Sequence, residues 1–303
     1  MLFRSKVAFV GDTVAFVVAE TVAEALAAAE LIDVDYEVLD ANAAAQSASG
    51  APPVWPACED NECFTFALGD TARVDSAFAT AHKVVDIDLP VTRLCINAME
   101  PRAALAEYDP YDQRYTLHCG NQFPHDLRKW IAGDVLGVPD SSLRIISPDM
   151  GGSFGLRSNI FPEIALTLWT AKELGRPVKW LGTRSEAFME DHARDIELKA
   201  ALALDADGTF LALRVRGTAN MGAYLSIFGP LPAFGNIGGV AGTYKTPAID
   251  VEIAAMFTNT APVHPYRGAG RPEATLAIEL VIDEAARALG MDRLELRKRN
   301  LIT

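Results

Sequence analysis

Two long helix-like segments, each ended by a glycine, place the strongest constraint on the fold of this 303-residue chain. The sequence predicts one helix over Phe161–Leu174, followed by Gly175, and another over Pro272–Leu289, followed by Gly290. Glycine is common just beyond a helix because it adopts the left-handed backbone conformation without strain. Short strand-like segments lie before and between these helices, so the sequence predicts a mixed α and β fold.

The other regular elements are predicted from the period of apolar residues and from proline or glycine at the element ends. The predicted strands of the larger part are Lys83–Leu89, Arg102–Tyr108, Tyr115–Cys119, Leu143–Ser147, Val178–Leu181, Ile196–Leu204 and Phe210–Ala219. The other predicted helices are Phe123–Leu136 and Asp292–Asn300. Asp207-Gly208 is typical of a hairpin turn between the last two strands. The predicted fold class is α+β, with mixed sheets and no internal repeat.

The first 42 residues have a pattern of their own. It predicts two strands joined by a turn at Gly11-Asp12, then a helix and a third strand, over Val7–Val10, Val14–Ala19, Val22–Leu31 and Ile32–Val38. Thr21 and Glu24 have the spacing of a capping box at the start of the helix. Because this unit begins without a lead-in, we expect its first strand to pair with a segment outside the chain.

Residues 43–63 are rich in alanine, serine, proline and polar residues, which is the composition of a linker. Pro52, Pro53 and Pro56 exclude a regular helix there. The predicted organisation is therefore a partial domain over 1–42, a linker over 43–63 and a larger domain over 64–303.

The charge balance limits the partners. The formal net charge is −13, and an acidic surface repels the phosphates of nucleic acids and anionic lipids. No apolar run approaches the roughly 20 residues that a membrane span needs. We therefore expect a cytoplasmic protein without a nucleic-acid partner or a membrane span.

The four cysteines do not form a complete iron–sulfur motif. Cys58 and Cys63 have the gap that opens a plant-type motif, but Cys95 is too far along the chain to continue it, and Cys119 is farther still. We expect unpaired thiols in a reducing compartment. Any iron–sulfur cluster would lie on another chain or segment.

The first candidate for chemistry is the glycine cluster Gly151–Gly155, which follows a predicted strand. Three glycines in five residues allow backbone N–H groups to approach a ligand, and successive N–H groups can bind an anion. The spacing fits neither a P-loop nor the dinucleotide fingerprint. A plain turn is the alternative interpretation.

The second candidate is the loop His264–Glu273, where Arg267 and Arg271 surround two glycines before a long helix. Fixed guanidinium groups, open backbone and a following helix start suit an anionic ligand. Alternatively, these arginines pair with surface carboxylates.

Gln122 is the third candidate, because it lies between a predicted strand and a helix start and its amide both donates and accepts. A helix-capping turn explains this position equally well.

Taken together and in order, these segments resemble the molybdenum hydroxylases, the family of xanthine dehydrogenase, aldehyde oxidase and CO dehydrogenase large subunits. The matching segments are Val10–Ala15, Val34–Val38, Ala98–Arg102, Gln122 with Pro124, Gly151–Gly155, Gly175–Trp180, Thr183–Glu186 and Tyr266–Glu273. The resemblance covers nearly the whole chain. It implies a partial α/β hammerhead domain and the first molybdopterin-binding domain of a large subunit that is cut at both ends.

The resemblance also implies the roles of individual residues. Gln122 is expected to approach the molybdenum centre, and no side chain is expected to bind the metal directly. The residues expected beside the cofactor are Gly151, Gly152, Phe154 and Gly155, with Tyr266, Arg267, Gly268 and Ala269 in the loop over it. The implied cofactors are molybdopterin carrying molybdenum, as the cytosine dinucleotide, with 2Fe-2S clusters and FAD on partner chains.

Three departures from the family pattern narrow the expectation. Gly268 stands where true CO dehydrogenases carry a copper-binding cysteine, and Cu(I) prefers sulfur ligands. Ser158 and Gly235 stand where purine-oxidising relatives place a Glu and an Arg, so xanthine is not favoured. The family's catalytic Glu in a Gly-x-Gly-Glu context has no counterpart here, so we expect it beyond the last residue and assign no catalytic residue.

The implied activity is hydroxylation of an aldehyde or an N-heterocycle with water as the oxygen source and with electrons passing to iron–sulfur and FAD subunits. The implied partners also include a missing C-terminal half or a second copy of the chain. The alternative is a non-catalytic fragment, or half of a split subunit, that acts only in assembly or partner binding. A second alternative is a protein like the CO dehydrogenase large subunit.

Overall fold

The computed structural model describes residues 6–235 and 237–303. The helices are α1 (Val22–Glu30), α2 (Thr71–Thr80), α3 (Pro124–Trp130), α4 (Pro162–Leu174), α5 (Arg184–Glu190), α6 (Leu231–Phe234), α7 (Arg271–Leu289) and α8 (Arg293–Asn300). The strands are β1 (Glu62–Gly69), β2 (Lys83–Val91), β3 (Leu94–Cys95), β4 (Ala103–Asp109), β5 (Arg114–Cys119), β6 (Leu143–Ile146), β7 (Val178–Leu181), β8 (His192–Ala193), β9 (Ile196–Leu204), β10 (Phe210–Gly222), β11 (Ile249–Phe257) and β12 (Val263–His264). The predicted mixed class, with open mixed sheets, is confirmed.

A five-stranded sheet and α7 enclose the larger core. The strand order is β1-β11-β10-β9-β2, in which β10 and β11 are parallel and the other neighbours antiparallel. In β9, Ile196, Leu198 and Leu202 are buried at even spacing, as expected for a strand with one face on a core. They belong to the same apolar cluster as Ile278 and Ile282 of α7. This packing fixes the helix that follows the arginine loop.

A second core lies between a four-stranded sheet and helices α3 and α4. The strand order is β6-β5-β4-β7, and β5 and β6 are parallel. Leu117 of β5, Leu127 of α3 and Leu168 of α4 are fully buried together. Because parallel neighbours end at the same edge of a sheet, the loops after β5 and β6 emerge side by side. These loops carry Gln122 and the glycine cluster.

A small third sheet, in the order β12-β8-β3, holds the start of the arginine loop. Strand β12 pairs with β8 in parallel and ends at His264, which is buried. Next to this sheet, Arg93 is bonded to Asp195 at 2.8 Å and to the carbonyl of Ala261 at 2.7 Å. The chain therefore enters residues 265–270 from a fixed position.

The three predicted N-terminal strands are wrong. Residues 7–20 and 32–40 contain no strand, although the turn at Gly11-Asp12 forms and α1 begins at the predicted capping box of Thr21 and Glu24. A strand exists through backbone hydrogen bonds to a neighbouring strand, and no described residue supplies one here. Residues 1–5 of the predicted partial domain lie outside the described residues.

The predicted linker, residues 43–63, is packed against the larger part of the chain. Asn61 is fully buried, its amide donates to the Ala48 carbonyl at 2.9 Å, and its Oδ1 accepts from the Val54 amide at 2.8 Å. Ala48 lies in an apolar cluster with Met256 of β11. The segment therefore has the composition of a linker but packs against the sheet. The domain limits themselves remain a prediction.

The predicted helices and central strands of the larger part are confirmed to within a few residues, with two kinds of difference. The predicted helix Phe123–Leu136 divides into α3 and a wider π-helical turn over Ile131–Leu136. The sequence interpretation missed β1, α2 and β11. None of the helices in the described ranges combines the length and the apolar composition that crossing a membrane requires.

Candidate cofactor groove

Three loops that are distant in sequence meet around one open groove of about 350 Å³. Gln122 comes from the β5–α3 connection, Phe154 and Gly155 from the segment after β6, and residues 265–269 from the β12–α7 connection. The groove thus brings together every predicted site residue except Gly151 and Gly152.

The glycine loop and the arginine loop touch through their backbones. The Arg267 amide donates to the Phe154 carbonyl at 2.8 Å. Gly155 has φ +112°, and a Cβ at this position would overlap the carbonyl oxygen of Pro265. Only glycine combines that conformation with such a close approach. The glycine cluster is therefore more than a turn, because it allows the two loops to meet.

Gln122 is held at its backbone and at one end of its amide. Its backbone N–H donates to the Arg157 carbonyl at 2.9 Å, and its Oε1 accepts from Ser153 Oγ at 2.6 Å. Its Nε2 has no acceptor among the described residues. The side chain therefore presents a positioned NH₂ donor beside the groove.

Two groove residues other than glycine have left-handed backbones. Phe154 has φ +55° and Ala269 has φ +44°. Such conformations cost about 1–3 kcal/mol each and persist where surrounding contacts enforce them, often at functional sites. The Phe154 ring is 43% exposed and its centroid lies 6.3 Å from that of Tyr266. The groove wall is thus a pair of aromatic rings on a constrained backbone.

The two arginines of the predicted loop form no ion pair with any described carboxylate. Arg267 and Arg271 are both exposed, and Arg267 lies on the groove. The structure therefore gives no support to the alternative in which surface carboxylates neutralise this loop. A guanidinium without a carboxylate partner, next to open glycine backbone, is available to an anion.

Arg194 stabilises the arginine loop through hydrogen bonds and a ring contact, and the sequence interpretation did not identify it. Its Nη1 donates to Glu273 Oε1 at 2.5 Å, and Glu273 is only 2% exposed. Its Nη2 donates to the Arg267 carbonyl at 3.2 Å, and its guanidinium carbon lies 5.2 Å from the centre of the Tyr266 ring. Arg194 and Glu273 are 79 positions apart, so no local pattern points to the pair.

Gly151 and Gly152 lie at the other end of the glycine loop, where Gly151 contacts Glu100 and Gly152 contacts Ala98. The Gly151 amide donates to Glu100 Oε2 at 2.5 Å, and a Cβ on Gly151 would lie 2.5 Å from the Glu100 Cβ. Glu100 also accepts from Arg157, and this hydrogen bond is the main cause of its lowered pKa. Glu100 was identified only as part of a Met-Glu-Pro segment, and the importance of Arg157 was missed.

A buried charge cluster lies near His264, where the arginine loop begins. Arg102 pairs with Glu163, Glu190 and Asp191, and its guanidinium carbon lies 4.0 Å from the centre of the Phe161 ring. Burial raises the pKa of Asp191 to about 6 against the opposing effect of Arg102. The negative charges of the neighbouring Glu163 and Glu190 add to this effect of burial.

His264, beside that cluster, is held neutral. Burial lowers its pKa to about 3, with smaller contributions from Arg102 and His192. Its ring lies 5.3 Å from that of Phe161, and its Nδ1 has no partner within residues 6–235 and 237–303. It packs as an aromatic residue at the start of the loop rather than acting as a ligand.

The described residues hold no group of three or more His, Cys, Asp or Glu side chains arranged to bind a metal ion. Cys58, Cys63, Cys95 and Cys119 are all free. Burial raises the pKa of the Cys63 thiol to about 12 and that of Cys119 to about 11, so neither is a ready thiolate.

Comparison with known proteins defines the class to which this fold and groove belong. Residues 54–301 match the molybdopterin cofactor-binding domain, and residues 1–40 match the α/β hammerhead domain of aldehyde oxidase and xanthine dehydrogenase. The chain therefore belongs to the molybdopterin-binding family of xanthine dehydrogenase, aldehyde oxidase and CO dehydrogenase large subunits.

Individual relatives agree. The chain is 37% identical to the 6-hydroxypseudooxynicotine dehydrogenase complex subunit gamma of Paenarthrobacter nicotinovorans, covering 100% of this chain and 38% of the relative. It is 32% identical to the carbon monoxide dehydrogenase large chain of Hydrogenophaga pseudoflava, covering 100% of this chain and 40% of that one. It superposes on quinoline 2-oxidoreductase from Pseudomonas putida 86 with a TM-score of 0.92 and 33% identity, over 98% of this chain and 38% of that one. The chain thus spans about two fifths of the length of these relatives.

Proposed function

We propose that this chain supplies the first molybdopterin-binding region of an enzyme that hydroxylates an N-heterocycle or an aldehyde with water as the oxygen source. The observation that carries the proposal is the groove at which Gln122, Phe154–Gly155 and Tyr266–Ala269 meet. All of these residues are among those that the family resemblance assigned to the cofactor, and they come from three distant parts of the sequence.

The residues of the groove fit an anionic, sulfur- and phosphate-bearing cofactor. Gly155 and Gly268 line the groove without side chains, Gln122 presents an amide donor, and Arg267 has no carboxylate partner among the described residues. Backbone N–H groups and unpaired guanidinium groups are the usual protein contacts of such anions. When bound, the molybdenum cofactor supplies the two-electron oxidation, and the protein supplies position and electrostatics.

The chain's own residues would act by positioning. The Gln122 NH₂ would serve as a hydrogen-bond donor to the bound cofactor, and the Phe154–Gly155 backbone would border it. Arg267 and Gly268 would hold the cofactor from the loop to which Arg194 and Glu273 are bonded. No residue of this chain is assigned as the catalytic base, so the reaction needs a base from elsewhere in the complete protein.

The substrate class follows from the relatives and from what the groove lacks. Relatives include a nicotine 6-hydroxylase large subunit and quinoline 2-oxidoreductase, whose names indicate N-heterocycles, and an aldehyde oxidoreductase. Gly268 offers no thiolate for copper, which argues against CO oxidation despite the CO dehydrogenase relatives. Ser158 is buried and donates to the Gly155 carbonyl at 2.6 Å, so it is not available to bind a purine.

The partners are proposed on the same basis. One relative is named as a subunit of a dehydrogenase complex and another as a large chain. We propose that 2Fe-2S and FAD subunits accept the electrons, that the cofactor is the cytosine dinucleotide form, and that the complete enzyme is cytoplasmic.

Substitution at the groove tests the function in the assembled enzyme. Gln122→Ala and Arg267→Ala should each lower molybdenum content or turnover by roughly tenfold, the loss expected for one charge-assisted or positioned hydrogen bond. The matched control is Arg287→Ala, since Arg287 is an exposed arginine at the far end of α7 and should leave both values unchanged. Wild-type values in both groove variants would refute the assignment. If the wild-type chain assembled with its partners but the complex held no molybdenum, the alternative function, a role in assembly alone, would be favoured.

A further inference from the structure

Arg157 lies directly behind the groove, two residues after Gly155, and is only 3% exposed. Its Nη1 lies 2.5 Å from Glu100 Oε1, and its Nη2 donates to the carbonyls of Glu100 at 2.6 Å and Pro101 at 3.1 Å. A Cβ on Gly120 would overlap this guanidinium. The arginine thus fills a buried space that a side chain at position 120 would block.

Glu100 carries this contact into the glycine loop. While Oε1 accepts from Arg157, Oε2 accepts from the Gly151 amide at 2.5 Å. The Glu100 amide in turn donates to the Gly151 carbonyl at 3.1 Å. The first residue of the glycine cluster is therefore tied to the buried guanidinium through one carboxylate, and charge-assisted bonds of this kind are the stronger ones.

The backbone of Arg157 reaches the second part of the groove. Its carbonyl accepts from the Gln122 amide at 2.9 Å, and its own amide donates to Ser153 Oγ at 3.2 Å. That hydroxyl donates to Gln122 Oε1 at 2.6 Å. Residue 157 therefore contacts, directly or through one hydroxyl, both ends of Gln122.

We propose that Arg157 is a positioning residue that sets the glycine loop and Gln122 in register for the cofactor, with Glu100 as its partner. This inference rests on the proposed function. Arg157 does not line the groove itself, and it acts by fixing the backbone of the two segments that do. Because a lysine donates from a single nitrogen, it should replace only part of the contact with the three acceptors, which are the Glu100 carboxylate and the carbonyls of Glu100 and Pro101.

Two measurements on the assembled enzyme as isolated test this role. The first is the rate at which pterin is lost on prolonged dialysis, read from its fluorescence. The second is amide hydrogen exchange of peptides covering residues 120–123 and 150–156. Arg157→Gln should raise both rates by about tenfold, the equivalent of one charge-assisted hydrogen bond. Arg157→Lys should recover part of the loss, and Glu100→Gln should resemble Arg157→Gln at residues 150–156.

Arg297→Gln is the matched control for a purely structural effect. Arg297 is also mostly buried and pairs with Glu279 and Asp283, but it joins α7 to α8 away from the groove. Its loss should lower the unfolding temperature while leaving pterin retention and exchange at 120–123 and 150–156 unchanged.

The outcomes separate this inference from the function on which it rests. Wild-type exchange in both peptides of a folded Arg157→Gln protein would overturn the positioning role, whether or not cofactor is present. Equal pterin loss in Arg297→Gln would also overturn it, since general destabilisation would then explain the effect. A wild-type enzyme without pterin, combined with increased exchange in Arg157→Gln, would refute the proposed function while leaving the coupling of the two segments in place.

Discussion

At the scale of single residues, Gly155 decides whether the two cofactor loops can meet. Gly155→Ala places a Cβ against the Pro265 carbonyl at a backbone conformation that alanine adopts poorly. We expect a loss of ~2 kcal/mol or more in the free energy of unfolding, together with reduced molybdenum content in the assembled enzyme. Chemical denaturation and metal analysis measure the two effects.

Gly133→Ala is the control for this substitution. Gly133 lies in the π-helical turn, and a Cβ there meets no atom within 4 Å. It should leave molybdenum content unchanged and alter stability by ~1 kcal/mol or less, in the stabilising direction. Equal losses in the two variants would show that contact between the loops is not what Gly155 permits.

His264 makes the chain sensitive to acid. Its pKa is about 3 when folded against 6.5 for a free histidine, so the unfolded chain binds a proton that the folded one rejects. Above pH 6.5 this histidine is neutral in both states and does not reduce the free energy of unfolding. As the pH falls from 6.5 toward 3, protonation of the unfolded chain lowers the free energy of unfolding by an amount on the order of a few kcal/mol. His264→Leu should flatten the pH dependence of unfolding in that window. A wild-type slope in His264→Leu would contradict the assignment.

At the scale of elements, the buried side-chain amide of Asn300 stabilises the packing of the C-terminal helix α8 more than the N-cap of that helix does. Asn300 accepts from the Phe210 amide at 2.8 Å and donates to the carbonyls of Gly208 at 3.0 Å and Leu296 at 2.8 Å. Asn300→Ala removes all three bonds and leaves the buried Phe210 amide without this acceptor, at a cost of about 3 kcal/mol. Asp292→Ala, which removes the exposed N-cap of the same helix, should cost only about 1 kcal/mol. The denaturant midpoints of the two variants measure these costs, and equal costs would contradict the larger contribution of Asn300.

The elements also mark what the sequence could and could not predict. Helices α4 and α7 and strands β9 and β10 were predicted because apolar period and terminal glycines are local signals. The strands over residues 7–10, 14–19 and 32–38 were predicted wrongly because a strand depends on a neighbour that local pattern does not reveal. Strand β1 was missed because most of its residues are exposed at an edge of the sheet, which leaves little alternation to detect.

The same distinction holds within the candidate site. Gln122, Phe154–Gly155 and Tyr266–Ala269 were assigned to the cofactor because their segments resemble those of the family, and the groove brings them together. Their supports were not found, because Arg157 meets Glu100 across 57 positions and Arg194 meets Glu273 across 79. A lone arginine or glutamate carries no local sign of a partner that far away. The sequence therefore indicates which loops line the groove better than it indicates the charged residues that hold those loops in place.

At the scale of the whole molecule, the groove lies where two separate cores approach each other. Gln122 and the glycine loop extend from the four-stranded sheet, while the arginine loop runs into α7 on the five-stranded sheet. A ligand that binds only the folded arrangement stabilises it by mass action. Removing the cofactor from the assembled enzyme should therefore lower the unfolding temperature. It should also raise amide exchange in residues 120–123, 150–156 and 265–270.

Strands β9 and β10 should not respond to that removal, because they are interior strands of the five-stranded sheet and none of their residues lines the groove. Exchange in residues 198–204 and 212–219 thus serves as the internal reference. A rise in exchange confined to the glycine loop, with residues 265–270 unaffected, would mean that the ligand is held by the four-stranded sheet alone. In that case the backbone bond from Arg267 to Phe154 would be a packing contact, and the arginine loop would lose its place in the site.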